Sequence, residues 1–222
     1  MTKIRCIVCA VFVICTVALI PQPASAGVVF TTLGPSGEFD AGNGFNVDGS
    51  SYANQVIANP LTLGTGTTVA DAVLALGNSA GNNNPVNVYI ESDNSGLPGS
   101  IIATLSQVGT ILPFANGFGG GLITFTCSGA ACTLGAGSYW LVAWEPDANT
   151  DQVWNYAYLN APAHLAFNQI GSPIGPWIDG NVSNAVAFRI DDTSVPEPTS
   201  ILLLATGLLG IGIARRRSIG RG

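Results

Sequence analysis

Residues 122–145 read LITFTCSGAACTLGAGSYWLVAWE, and this stretch decides the fold class. Its two apolar runs, 122–127 and 138–145, are rich in β-branched and aromatic residues and read as strands. Cys127, the residues SGAA and then Cys132, Thr133 and Leu134 read as two strands joined by a tight turn. On the second run Trp140 and Trp144 share a face, because alternate residues of a strand point the same way, and core packing is their expected use.

The same texture extends in both directions. Further runs of this kind occupy 28–33, 52–63, 68–76, 86–91, 101–106, 153–159, 164–170 and 185–190. Clusters of Gly, Asn, Pro and Ser, such as 77–85 and 116–121, separate them as turns. Many short strands at regular spacing predict an all-β fold, an antiparallel two-sheet sandwich of jelly-roll-like form. Run 68–76 is ambiguous, since Ala-Asp-Ala-Val-Leu-Ala-Leu serves equally well as helix. No internal repeat is visible, and no linker interrupts the chain before 191–200.

Both ends carry processing signals. Lys3 and Arg5, the apolar run 7–20 and Ala24-Ser25-Ala26 have the order of a secretory signal peptide, which predicts removal of residues 1–26 before Gly27. Cys15 raises lipidation, but Ile14 precedes it where lipoprotein signals want a small residue. At the other end stand Val195-Pro196-Glu197-Pro198, an uncharged run over 201–214, and Arg215, Arg216 and Arg217. As a single hydrophobic helix that run would measure roughly 21 Å, short of the ~30 Å hydrocarbon core. Gly207, Gly210 and Gly212 weaken it further while allowing another helix to come close. The arginines place its C-terminal end in the cytoplasm and the upstream chain outside. Pro196 and Pro198 keep the preceding backbone extended and open to a protease. These residues resemble the PEP-CTERM sorting segment of Gram-negative bacteria, which implies an exosortase as processing partner and membrane insertion before the cut. A plain anchor that is never cut is the alternative. The expected organisation is a leader over 1–26, a β-sandwich surface domain over 27–190, a stalk with the PEP motif over 191–200, and the sorting helix with its basic tail over 201–222.

Trimming both ends changes the charge. Between residues 27 and 195 a single basic residue, Arg189, faces twelve acidic ones, a formal charge of −11 against −6 for the whole chain. Such a surface repels phosphate backbones and anionic lipid, which excludes nucleic acid as a natural partner. It favours divalent cations and neutral or cation-bridged polymers. Cys6, Cys9 and Cys15 leave with the leader, so Cys127 and Cys132 remain as an even pair in an oxidising compartment, where a disulfide is expected. A redox role is the sharper alternative, but the spacing is not Cys-x-x-Cys.

A second resemblance rests on Phe39 and Phe45, the run Val86-Asn87-Val88-Tyr89-Ile90, the segment Ser92-Asp93-Asn94-Ser95-Gly96-Leu97-Pro98-Gly99, and Gly137-Ser138-Tyr139-Trp140-Leu141-Val142. In that order they are similar to the choice-anchor domains of sorted bacterial surface proteins, the R type above all. The resemblance spans most of 31–191 and implies a β-sandwich surface domain without established enzymatic activity.

Local patterns that can carry chemistry are few. Gly77-Asn78-Ser79-Ala80-Gly81 matches the G-x-S-x-G nucleophile elbow, which needs a following helix; Asn82-Asn83-Asn84-Pro85 follows instead, and a flexible polar turn is the expectation. The sole histidine, His164, is the one candidate base. Asp147, Asn149 and Asp151 place oxygens at alternate positions, with Glu145 upstream, in a way calcium ions use, although neither Gln152 nor Tyr158 suits an EF-hand. A solvated acidic turn is the plainer reading, and otherwise no cofactor is implied. Trp154, Tyr156 and Tyr158 would share one strand face, as a platform for sugar rings or as core. Trp177, between Pro176 and Ile178, is the best candidate for an exposed ring. The expected function is that of a non-enzymatic protein of the cell surface or extracellular matrix, associated with extracellular polysaccharide or biofilm. A carbohydrate-binding adhesin module, with or without calcium, is the alternative; a carboxylate-based enzyme has no pair singled out by spacing.

Overall fold

The computed structural model describes residues 26–83, 85–115, 118–158 and 163–193. The leader up to residue 25 and all of 194–222, with the PEP motif, the short apolar run and the arginines, lie outside the described residues. Among the described residues no helix is long and apolar enough to cross a membrane.

Among the described residues fifteen strands make up the domain: β1 (Val28–Thr31), β2 (Phe39–Asp48), β3 (Val56–Leu63), β4 (Thr67–Gly81), β5 (Asn87–Asp93), β6 (Pro98–Val108), β7 (Leu112–Ala115), β8 (Phe118–Gly119), β9 (Gly121–Thr126), β10 (Thr133–Leu134), β11 (Gly137–Trp144), β12 (Thr150–Ala157), β13 (Ala163–Asn168), β14 (Ile178–Val182) and β15 (Phe188–Asp192). Among the described residues all pairings are antiparallel except a short parallel contact between β4 and β7. The main path of the network runs β1-β15-β4-β9-β6-β5-β11-β3-β13-β14. β6 is its joint. Residues from Pro98 to Leu105 pair with β5, while Ser106, Gln107 and Val108 pair with β9. The fold is therefore all-β as expected, with its strands linked into one network.

β4 settles the ambiguity of the alanine-rich run. It has β15 on one edge and β9 on the other, and its residues 72–77 are buried without alternation. A strand covered on both faces reads as a continuous apolar run, which periodicity cannot distinguish from buried helix. β4 also continues through the expected turn at 77–81, where Gly77, Asn78, Ala80 and Gly81 pair with β12. The G-x-S-x-G segment is thus extended strand, and the flexible turn expected there is corrected.

The cysteine segment differs as well. Cys127 and Cys132 form the expected disulfide, with their Cα atoms 5.9 Å apart. The flanking strands do not form a hairpin with each other, because both pair with β4 in one direction. Thr126 lies opposite Asp71, the Cys127 N–H donates to the Ala70 carbonyl, and Thr133 lies opposite Thr68. β9 and β10 form one strand line, interrupted by a short 3-10 excursion that the disulfide closes.

Two apolar clusters result from strand alternation. The main core takes Ile57 and Leu61 from β3, Leu74 and Leu76 from β4, Ile90 from β5, Phe125 from β9, Leu141 from β11, Trp154 from β12 and Phe188 from β15. The intervening residues Val56, Ala58, Trp140, Val142 and Ala166 form a second cluster, against which Tyr89, Leu97, Trp144 and Trp177 pack. β15 ends at Asp192, and the Thr193 N–H donates to the Thr68 carbonyl, so the network takes in the first residues of the expected stalk.

Candidate functional site

The aromatic row on β12 is not a surface platform. β12 is held between β2 and β4, and Trp154 is fully buried, its indole N–H donating to the Ala187 carbonyl at 3.0 Å. Tyr156 is half-buried and meets Phe45 edge-on at 4.9 Å. Burial, and then the charge of Asp40, raises its phenol above the ordinary value. Tyr158 is exposed, but its ring lies over Gly34, where an added Cβ would stand 2.7 Å from it. Three alternate residues thus pass from core to surface, and the register of β12 on β2 shifts between Asn155 and Tyr156.

Trp177, expected as an exposed ring, is half-buried. It follows a cis Gly175–Pro176 bond and packs on the second cluster. Its indole nitrogen is buried and makes no hydrogen bond among the described residues. Beside it lies an open groove of about 570 Å³, walled on one side by Ile174, Pro176 and Trp177 and on the other by the β5–β6 turn. That turn is the Ser92-to-Gly99 segment, and it is firmly held. Asp93 accepts from the Trp140 indole N–H at 2.8 Å with Oδ1 and from the Gly96 N–H at 3.2 Å with Oδ2. The Asn94 N–H donates to the Leu97 carbonyl, and the Ser100 N–H to Ser92 Oγ at 3.0 Å. Ser95 and Gly96 take positive φ of 56° and 88°, which lets the chain reverse here. An indole flanked by amide and hydroxyl groups suits a flat, neutral, polyhydroxylated ligand.

Beneath this face is a group the sequence did not single out. Glu91 lies on β5 opposite Trp140, fully buried, with neither carboxyl oxygen hydrogen-bonded among the described residues. Burial pushes its carboxyl up to about 8, which keeps it protonated at neutral pH. Tyr89, two residues earlier on the same face, is raised by burial and then by Glu91. No sequence pattern distinguishes Glu91 from the eleven other acids of the domain.

The acidic loop between β11 and β12 is tied down by hydrogen bonds to its own backbone and to neighbouring side chains. Asp147 Oδ1 accepts from the Asn149 N–H at 2.8 Å and Oδ2 from the Asn82 amide at 3.3 Å, while Asn149 Oδ1 accepts from Ser51. Asp151 belongs to β12, opposite Asp48. Its carboxyl is raised by burial, with the Ser79 hydroxyl opposing and Asp48 adding. Glu145 is buried and accepts the Asp147 N–H at 2.8 Å; burial raises it to about 7, against the pull of that hydrogen bond. Among the described residues no three His, Cys, Asp or Glu side chains gather as a metal site. Nor are Ser79 and His164 brought together. The Ser79 hydroxyl lies beside Asp151, and His164 bonds Asp179 while meeting Trp140 edge-on at 5.9 Å.

Residues 194–218 match the family model of the PEP-CTERM protein-sorting motif, covering Val195, Pro196, Glu197 and Pro198, the apolar run and Arg215, Arg216 and Arg217. No curated protein and no solved structure matches the chain. The motif supports an exosortase substrate, anchored in the membrane before cleavage, exported and sorted to the surface of a Gram-negative cell.

Proposed function

We propose that the chain is an exported surface or extracellular-matrix protein whose non-enzymatic β-domain associates with extracellular polysaccharide in a biofilm. The match of residues 194–218 to the sorting motif carries this reading. The formal charge of −11 over 27–195 supports it, because such a surface avoids nucleic acid and anionic lipid and accommodates neutral or cation-bridged polymers. A disulfide at Cys127 and Cys132 fits a compartment outside the cytoplasm. The choice-anchor resemblance and a core that collects side chains from strands on both sides of β6 favour a sandwich of two layers. The test is the mass of the protein recovered outside the cell: a C-terminus near Val195 is expected, and recovery of Arg217 in the mature species would overturn the sorting.

The groove beside Trp177 favours a second reading, a carbohydrate-binding adhesin. Asp147, Asn149 and Asp151 are its calcium candidates, which would have to exchange loop hydrogen bonds for the ion. Binding to the producing organism's own polysaccharide, measured with calcium and with chelator, tests both parts. Saturable binding supports the adhesin, and its loss in chelator supports calcium.

A further inference from the structure

We propose that Gly27 becomes the amino terminus of the mature chain and that its α-ammonium is seated as an ion pair on Asp192, the last strand residue before the sorting segment. The inference rests on reading residues 1–26 as a leader that is removed.

The geometry is already in place. The Gly27 N–H donates to Asp192 Oδ1 at 2.7 Å, and the Asp192 N–H donates back to the Gly27 carbonyl at 2.9 Å. This reciprocal pair continues the β1–β15 ladder, in which Val28 lies opposite Asp191. A Cβ on residue 27 would stand 3.0 Å from Asp192 Oδ1, so glycine gives the carboxylate its closest approach to the nitrogen.

Cleavage changes the chemistry of that contact. Water adds across the Ala26–Gly27 peptide bond, Ala26 departs as a carboxylate, and the Gly27 nitrogen gains protons to become an ammonium. A neutral amide with one N–H becomes a cation with three, against the same oxygen.

The charges around it call for such a cation. Between residues 27 and 193 the basic side chains are Arg189 and His164. Arg189 binds Asp191 at 2.8 Å through both Nε and Nη2, and His164 binds Asp179. Asp71 pairs with Asp191 across the β4–β15 ladder, and its carboxyl is raised by burial and then by Asp191. Asp71 and Asp191 therefore share the Arg189 guanidinium, and the new terminus supplies a positive charge to Asp192 beside them. Leader removal in this way completes the strand pair from which the sorting tail departs.

The test uses the full chain, exported by a host with its leader, in wild-type form and as Asp192→Asn, with Asp179→Asn as a charge-matched control. N-terminal sequencing comes first, and the expected start is Gly27. The rate at which an amine-acylating reagent labels that terminus is then followed across pH by the mass of the N-terminal peptide. An ammonium held by a carboxylate gives up its proton less readily, so labelling near pH 8 should quicken about threefold in Asp192→Asn and not in Asp179→Asn. Equal rates in wild type and Asp192→Asn would overturn the ion pair while leaving the leader intact. A start at any other residue would overturn the leader reading and the proposal together, and neither result bears on the C-terminal mass that tests sorting.

Discussion

Glu91 stands directly across the β5–β11 ladder from Trp140, and its carboxyl is buried without a hydrogen-bond partner among the described residues. Burial favours the neutral acid, raising the carboxyl from its ordinary value of 4.5 to about 8. The native state therefore holds a proton that the unfolded chain has released at intermediate pH. This contribution to stability is complete below about 4.5, declines as pH rises, and is lost once pH passes about 8. Glu145 acts with the same sign up to about 7. Denaturant unfolding should therefore show a domain less stable at pH 8.5 than at pH 5, by an amount on the order of 3 kcal/mol. Glu91→Gln, neutral at every pH, should remove much of that slope. An unchanged slope in the variant would place the linkage elsewhere.

Trp154 and Trp177 separate packing from recognition. Trp154→Ala removes a fully buried ring and its bond to Ala187, and should cost about 3–5 kcal/mol in unfolding free energy. Trp177→Ala truncates a half-buried ring beside the groove, so the stability loss should be the smaller of the two. If the groove takes sugars, the same variant should lower polysaccharide affinity at least tenfold. Retained affinity in a folded Trp177→Ala protein would remove the groove from the binding reading.

Gly81 ends β4 with φ of +73°, and an added Cβ would lie 1.8 Å from the Asn149 carbonyl oxygen. That carbonyl accepts the Asn82 N–H at 2.8 Å, which anchors the acidic loop to the strand. Gly81→Ala combines backbone strain with a clash that no rotamer relieves, and should destabilise by more than about 2 kcal/mol. Gly96→Ala, at φ of +88° but with nothing near its Cβ, should cost less. Thermal melts of the two variants give the comparison.

Composition and turn chemistry carried the fold class, because runs such as 138–145 are rich in aromatic and apolar residues and are bounded by glycine and proline. Strand edges were harder to read where side chains fall silent. β2 carries Gly42, Asn43 and Gly44 beside its irregular register with β12, and residues of that kind look like a turn. β14, with its exposed Ile178 and Gly180, gains strand character only from pairing with β13. Residues 77–81 likewise become strand because β12 arrives alongside, an event in tertiary space. At the site, alternation placed Trp154, Tyr156 and Tyr158 on one face but could not say that the strand dives into the core. Trp177, expected as an exposed ring from its proline-flanked loop, is half-buried instead, because it packs on the second cluster. The isolation of Glu91 was not legible, since it depends on which neighbours exclude water.

The last prediction concerns the excursion between β9 and β10. Pairing with β4 runs from Leu76 opposite Gly121 to Asp71 opposite Thr126, then skips to Thr68 opposite Thr133 and Thr67 opposite Leu134. The residues between are held in a loop closed by Cys127 and Cys132. Without the bond, β10 offers only two paired residues, too few to keep a strand in place unaided. Closing so short a loop removes roughly 2 kcal/mol of unfolded-state entropy in the chain-entropy model. Cys127→Ala/Cys132→Ala should therefore lower the denaturant midpoint by that equivalent, and hydrogen exchange should quicken at Thr133 and Leu134 while Leu74 in β4 stays protected. An unchanged midpoint would mean that pairing with β4 holds the resumed strand by itself, and that the disulfide adds nothing to the fold.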